Sequence, residues 1–135
     1  MLGWSLTDYF GPAHTNDTED PVAMPVVSVS QLRRVLKQLG DLPPRVVYLT
    51  GGDRMLRVGI GGPFGGFAIQ GEDLANYRLA LARTVTATEA VDFTYWCQPC
   101  QLRPEHLFVT HELIELLVGY IETGAFPEWL GWDTC

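Results

Sequence analysis

Met55-Leu-Arg-Val-Gly-Ile-Gly-Gly-Pro-Phe-Gly-Gly-Phe-Ala-Ile-Gln70 decides the fold class. Leu56, Val58 and Ile60 alternate with Arg57 and Gly59, the two-residue period of a half-buried strand. Gly61, Gly62, Pro63, Gly65 and Gly66 then supply turn conformations, and Phe67 and Ile69 resume the alternation, so the stretch reads as two strands joined at a glycine cluster. A phosphate-binding loop fails on spacing. Gly59-Ile-Gly61 opens like a dinucleotide fingerprint, but the third glycine position is Phe64, no Lys-Ser/Thr pair follows, and Pro63 has no N–H to offer a phosphate. The hairpin is therefore read as scaffold at the centre of a sheet.

Working outward, Arg45-Val-Val-Tyr-Leu-Thr50 is short and β-branched, and Gly51-Gly-Asp53 makes a tight connection to Met55. Val46 to Thr50, Met55 to Ile60 and Gly66 to Ile69 are three consecutive strands, for which a meander is the simplest topology. Upstream, Ser28-x-x-Gln31 fits a capping box and starts a helix through Gln31 to Leu39. Leu32, Val35, Leu36 and Leu39 form its buried stripe; Arg33, Arg34, Lys37 and Gln38 take the solvated face; Gly40 ends it. Trp4, Leu6 and Tyr9-Phe10 suit a short first strand, and residues 11–21 form an acidic loop or mobile arm. Pro21 to Val27 is extended by its prolines.

Downstream, residues 71–83 fit two periods at once: Leu74, Tyr77 and Leu81 suit a helix, while Tyr77, Leu79 and Leu81 suit a strand. Alanine and leucine content favours helix. Val91, Phe93, Tyr95 and Cys97 alternate as a fourth meander strand, with Gln101 to Arg103 returning beside it. Thr110 is a good N-cap for a final helix with Glu112 in its first turn. Leu113, Ile114, Leu116, Leu117, Tyr120 and Ile121 form its apolar stripe, His111, Glu115 and Glu122 lie off it, and Gly124 is the stop. The tail from Ala125 to Trp132 is too aromatic to be a free end and folds back. The expected fold is a single α+β domain over residues 1–135: a strand and acidic mobile loop in 1–25, then a core in 26–133. In that core a central antiparallel β-meander is packed by an N-terminal and a C-terminal helix.

The chain of 135 residues, 47% hydrophobic and 11% aromatic, can close one core. Nine Lys+Arg against 16 Asp+Glu give a net charge of -7, which argues against nucleic-acid and anionic-membrane partners and for a basic one. The first residues have no basic region, and no apolar run reaches the roughly 18 residues of a membrane helix, so a cytoplasmic location is expected. Cys97, Cys100 and Cys135 are an odd number, and reduced thiols are the simpler assumption.

Candidate chemistry is sparse. His111-Glu112 opens a zinc-protease motif, but Glu115 stands where the second histidine is required. Cys97-Gln-Pro-Cys100 is half a zinc site, and the following Gln101-Leu-Arg-Pro104 is a poor start for the helix of a redox motif. His14, His106 and His111 carry no local catalytic signature. No catalytic residue, metal site or cofactor is expected; a thiol or metal protein using Cys97 and Cys100 is the alternative. Among Tyr95, Trp96, Phe126, Trp129 and Trp132, one exposed aromatic near an acidic face is expected.

Leu56-Arg-Val-Gly-Ile-Gly-Gly62, Gly65-Gly-Phe67, the helix Glu112 to Glu122, Thr123-Gly-Ala-Phe-Pro127 and Trp132 occur in an order that resembles immunity family one of bacterial polymorphic toxin systems. The resemblance spans roughly Val27 to Asp133. It implies a protein without catalysis that neutralises a cognate toxin, often a deaminase or another enzyme that modifies nucleic acid. Gly59, Gly61, Gly62, Gly65, Gly124, Pro127 and Trp132 would be its structural motif residues. From charge and expected exposure, Asp17, Glu19, Asp20, Glu72, Asp73, Glu105, Glu115, Glu128 and Trp129 are the candidate partner-binding residues. A homo-oligomer pairing through a sheet edge or the Trp129 to Trp132 tail is a further reading.

Overall fold

A computed structural model describes residues 3–8, 22–52, 54–70, 77–95 and 98–134. The chain begins with strands β1 (Trp4–Asp8) and β2 (Val22–Val26), then helix α1 (Val29–Gly40). Strands β3 (Arg45–Gly51), β4 (Arg54–Ile60), β5 (Phe64–Gln70) and β6 (Tyr77–Leu81) follow. Next come β7 (Val91–Tyr95), β8 (Gln98–Leu102), a 3₁₀ turn (Pro104–His106), the short β9 (Phe108–Val109), helix α2 (Thr110–Thr123) and β10 (Gly131–Thr134).

The main sheet runs β10-β6-β5-β4-β3-β1-β2, with every neighbouring pair antiparallel. Its centre is the expected meander, and the alternation of Leu56, Val58 and Ile60 sets the register: Leu56 lies between Leu49 and Ile69, and Val58 between Val47 and Phe67. The N-terminal strand forms over Trp4–Asp8 and pairs with β3; Tyr9, Phe10 and the acidic loop lie outside the described residues. The proline-rich stretch goes beyond being extended, because Val22–Val26 pairs with β1.

Two expectations are corrected. Tyr77–Leu81 is a strand, not a helix, and it is this strand that completes the meander. Its two-residue period prevails because β5 and β10 pair with it on both sides, a long-range contribution that outweighs alanine and leucine propensity. Residues 71–76 lie outside the described set. Val91–Tyr95 is accordingly not the fourth meander strand: it pairs with β8 as a hairpin and touches β3 through one parallel bridge, Arg45 to Thr94.

Both sheet faces are covered, which explains why Val46, Val47, Tyr48 and Leu49 are all buried. On one face Leu49, Leu56, Val58 and Phe67 meet Leu32 and Leu36 of α1 and Leu113, Leu117 and Ile121 of α2. On the other, Val46 and Tyr48 pack with Phe93, Leu102, Leu107 and Ala87. The two helices thus share one face, and the β7–β8 hairpin with the 3₁₀ turn supplies the opposite cover.

Helix α1 is capped by Ser28, whose Oγ accepts from the Gln31 N–H at 3.1 Å. The Gln31 side chain reaches back to the N–H of Val27 at 2.7 Å, one residue earlier than a standard capping box. Gly40 is the last helical residue; it lies beside Thr110, whose Cγ2 would be 3.1 Å from any Cβ placed there. The N-cap expectation for Thr110 is also corrected. Thr110 is the first residue of α2, Val109 is its cap without a side-chain bond, and the Thr110 hydroxyl donates instead to the carbonyl of Gly62 at 2.7 Å. At the other end Gly124 closes α2 as expected, in the left-handed conformation with φ 80.

Candidate functional site

The glycine cluster is built for close approach of backbone to backbone. At Gly61, with φ 126, a Cβ would lie 2.6 Å from Pro44 Cα and 2.7 Å from the Pro43 carbonyl, so only glycine lets the α1–β3 connection lie against the turn. Gly59 and Gly66 are direct cross-strand partners. Phe93 packs its ring over Gly59, and the His106 carbonyl lies against Gly66. Beside them is a cavity of about 180 Å³ lined by Val46, Leu79, Phe93 and Leu102 with Arg57 and Gln101. Among the described residues its polar lining is Arg57 and Gln101.

The other motif residues converge in one aromatic cluster. Phe126 stacks on Tyr120 with ring centroids 4.1 Å apart and planes 7° from parallel, and on Phe67 at 5.2 Å. Trp132 stands edge-on to Phe67 at 89° and contacts Phe126 at 5.3 Å. The Arg54 guanidinium lies 5.8 Å from the Tyr120 ring and donates to its hydroxyl at 3.3 Å. Pro127 accepts from the Leu130 N–H at 3.1 Å, turning the chain back toward β10. These residues fix the tail to the sheet.

His106 is a buried residue of the 3₁₀ turn, with Nε2 3.1 Å from Asp133 Oδ2. The ring is too enclosed to meet a substrate, and the pair ties the turn to β10. His111 is exposed in the first turn of α2, as expected. Among the described residues, no group of three or more His, Cys, Asp or Glu could hold a metal ion. Cys97, Cys135 and His14 lie outside them.

The surface residues divide into separate regions. Asp17, Glu19, Asp20, Glu72 and Asp73 lie outside the described residues. Glu115 faces Arg33 across the two helices in a bidentate pair, Nε to Oε2 at 3.0 Å and Nη2 to Oε1 at 3.1 Å. The hydrogen bond from Arg33 holds the Glu115 carboxyl below the usual carboxylate range; desolvation opposes this, and the charges of Arg33, His111 and Lys37 add to it. The same hydrogen bond raises Arg33 above its ordinary value. Glu105 pairs with Arg103 at 3.4 Å, and its carbonyl accepts from the Ala82 N–H at 2.9 Å, which sets it beside the end of β6.

Next along the chain, Arg83 carries its guanidinium 5.6 Å from the ring of Trp129. Trp129 is 40% exposed, and Glu128 beside it is exposed as well. Trp129 is thus an exposed aromatic among the described residues, placed where the tail meets the sheet edge at Gly131 and Leu81, while Trp96 lies outside them. The arginine under it was not anticipated, nor was the His106–Asp133 pair; the partners lie far apart in sequence and neither pair has a local motif.

No family model matches the chain, and no curated protein sequence matches it. Among the described helices none is long and apolar enough to cross a membrane. The described geometry places the exposed Trp129, with Arg83 against its ring, where the tail joins the sheet.

Proposed function

We propose that the chain is a non-catalytic immunity protein that acts in the cytoplasm and neutralises a cognate bacterial toxin. The toxin is basic and acts on nucleic acid, a deaminase-type enzyme being the leading class. The observation that carries this reading is Trp129, exposed and stacked on Arg83 in a chain of net charge -7. Tryptophan and arginine at the centre of a surface are the residue types that dominate binding energy in protein interfaces. An overall negative charge speeds encounter with the positive cleft that a nucleic-acid enzyme requires. The resemblance in motif order, from Leu56-Arg-Val-Gly-Ile-Gly-Gly62 to Trp132, supports the same class.

The test is co-expression with the product of the gene immediately upstream. A stoichiometric complex that survives purification, together with relief of that product's toxicity, is the expected result. An upstream product that carries no toxin-like domain, or that neither binds nor harms cells, removes the reading.

A further inference from the structure

We infer that β10 is the docking edge of this protein, where an extended segment of the basic partner adds as a further strand; this rests on the immunity reading above. Strand edges present unpaired N–H and C=O groups, and a protein that stays free of self-pairing must block them. Among the described strands β2, β8 and β10 have a paired neighbour on one side only, while β7 is paired with β8 on one side and bridged to β3 on the other. The first two carry a proline, Pro25 in β2 and Pro99 in β8. A proline has no N–H to donate to an added strand. The β2 edge is closed further, because the Pro25 carbonyl already accepts from the Gln31 side chain at 3.3 Å. β10, Gly131-Trp-Asp-Thr134, has neither proline nor lysine and, among the described strands, only β6 beside it.

The same edge carries features that select an occupant. Asp133 is its only charged residue, on a side chain 44% exposed, and His106 engages just one of its oxygens. A lysine or arginine directly opposite Asp133 on an incoming strand would form a favourable cross-strand pair. Gly131 leaves bare backbone two residues away on the same face, room for a bulky side chain of that strand. Trp129 stands immediately before the edge as an anchor. Two copies of this chain would bring two charges of -7 together, whereas a basic strand is attracted at both short and long range. The occupant is thus an extended segment in which a cation alternates with apolar residues, as in other recognition by strand addition.

The experiment uses the full chain and the upstream gene product, with charge of either sign placed on the edge. A Cβ at Gly131 would meet only Leu81, at 3.5 and 3.6 Å, so Gly131→Lys and Gly131→Glu should both keep the wild-type melting temperature. Gly131→Lys is expected to weaken the complex about tenfold or more, and Gly131→Glu to leave it equal or tighter. Hydrogen exchange in the wild-type complex should show new protection at residues 131–134. Equal effects of the two substitutions, or no new protection there, overturns the inference while the immunity reading stands. Protection of the same amides in the isolated chain, at the mass of two copies, assigns the edge to self-association and also overturns it. Failure of the wild type to form any complex removes the immunity reading and this inference with it.

Discussion

The hydroxyl of Thr110 donates a 2.7 Å hydrogen bond to the carbonyl of Gly62, joining the first residue of α2 to the glycine turn between β4 and β5. The backbone repeats the link, since the Thr110 N–H donates to the Pro63 carbonyl at 3.1 Å. Removing the hydroxyl while keeping the shape leaves a partly buried carbonyl without its partner. Thr110→Val is expected to cost about 1–2 kcal/mol and Thr110→Ser much less, measured by urea denaturation. A larger loss for Thr110→Ser than for Thr110→Val would mean that the methyl group against Gly40, not the hydrogen bond, is what matters.

The glycines of the turn differ in a way that a pair of substitutions can expose. Gly61 and Gly62 both have positive φ, 126 and 79. A Cβ at Gly61 would penetrate the backbone of Pro43 and Pro44, whereas one at Gly62 would meet nothing within 4 Å. Gly62→Ala should therefore cost only the left-handed conformation, about 1–2 kcal/mol. Gly61→Ala should cost roughly 3 kcal/mol or more, because backbone must move as well. Thermal melts of the two variants, run side by side, check the order.

These contacts mark the limit of what sequence could convey. The β4–β5 hairpin and the apolar stripes of both helices are local patterns, and they fold as their periodicity dictates. Tyr77–Leu81 carries two periods, and the choice between them is made by β10, some fifty residues downstream, which the local pattern does not contain. Thr110 has the chemistry of an N-cap, but its hydroxyl meets a turn that only the folded sheet brings near. The candidate site was legible in part: Trp129 by its type, but neither Arg83 beneath it nor the open edge at Gly131.

Glu115 ties stability to pH. Its folded carboxyl titrates below the unfolded value because Arg33 hydrogen-bonds to the ionised form. The contribution is therefore full above the ordinary carboxylate range and is lost as pH falls through the depressed folded value. Both side chains are well exposed, at 38% and 44%, so the effect is small and weakens with salt. Glu115→Gln should be slightly less stable than wild type at neutral pH and low ionic strength, and the two curves should merge in acid. A difference that persists below the folded titration point would assign the loss to packing.

The aromatic cluster couples the core to the proposed binding surface. Phe67 is fully buried, and Phe67→Ala should cost about 3–5 kcal/mol, a loss large enough to threaten folding. Phe126 is only half buried, yet it stacks on both Tyr120 and Phe67 and lies three residues before the exposed Trp129. Phe126→Ala should cost less than Phe67→Ala. A double-mutant cycle of Phe126→Ala with Tyr120→Ala should show a coupling of about 0.5–1.5 kcal/mol, as expected for a stacked pair. Loosening this stack should also free the segment that presents Trp129 and the support Phe126 gives Trp132 of β10, so Phe126→Ala is expected to weaken the partner complex. Unchanged affinity in a folded Phe126→Ala protein would show that Trp129 is positioned by Arg83 and the β10–β6 pairing alone.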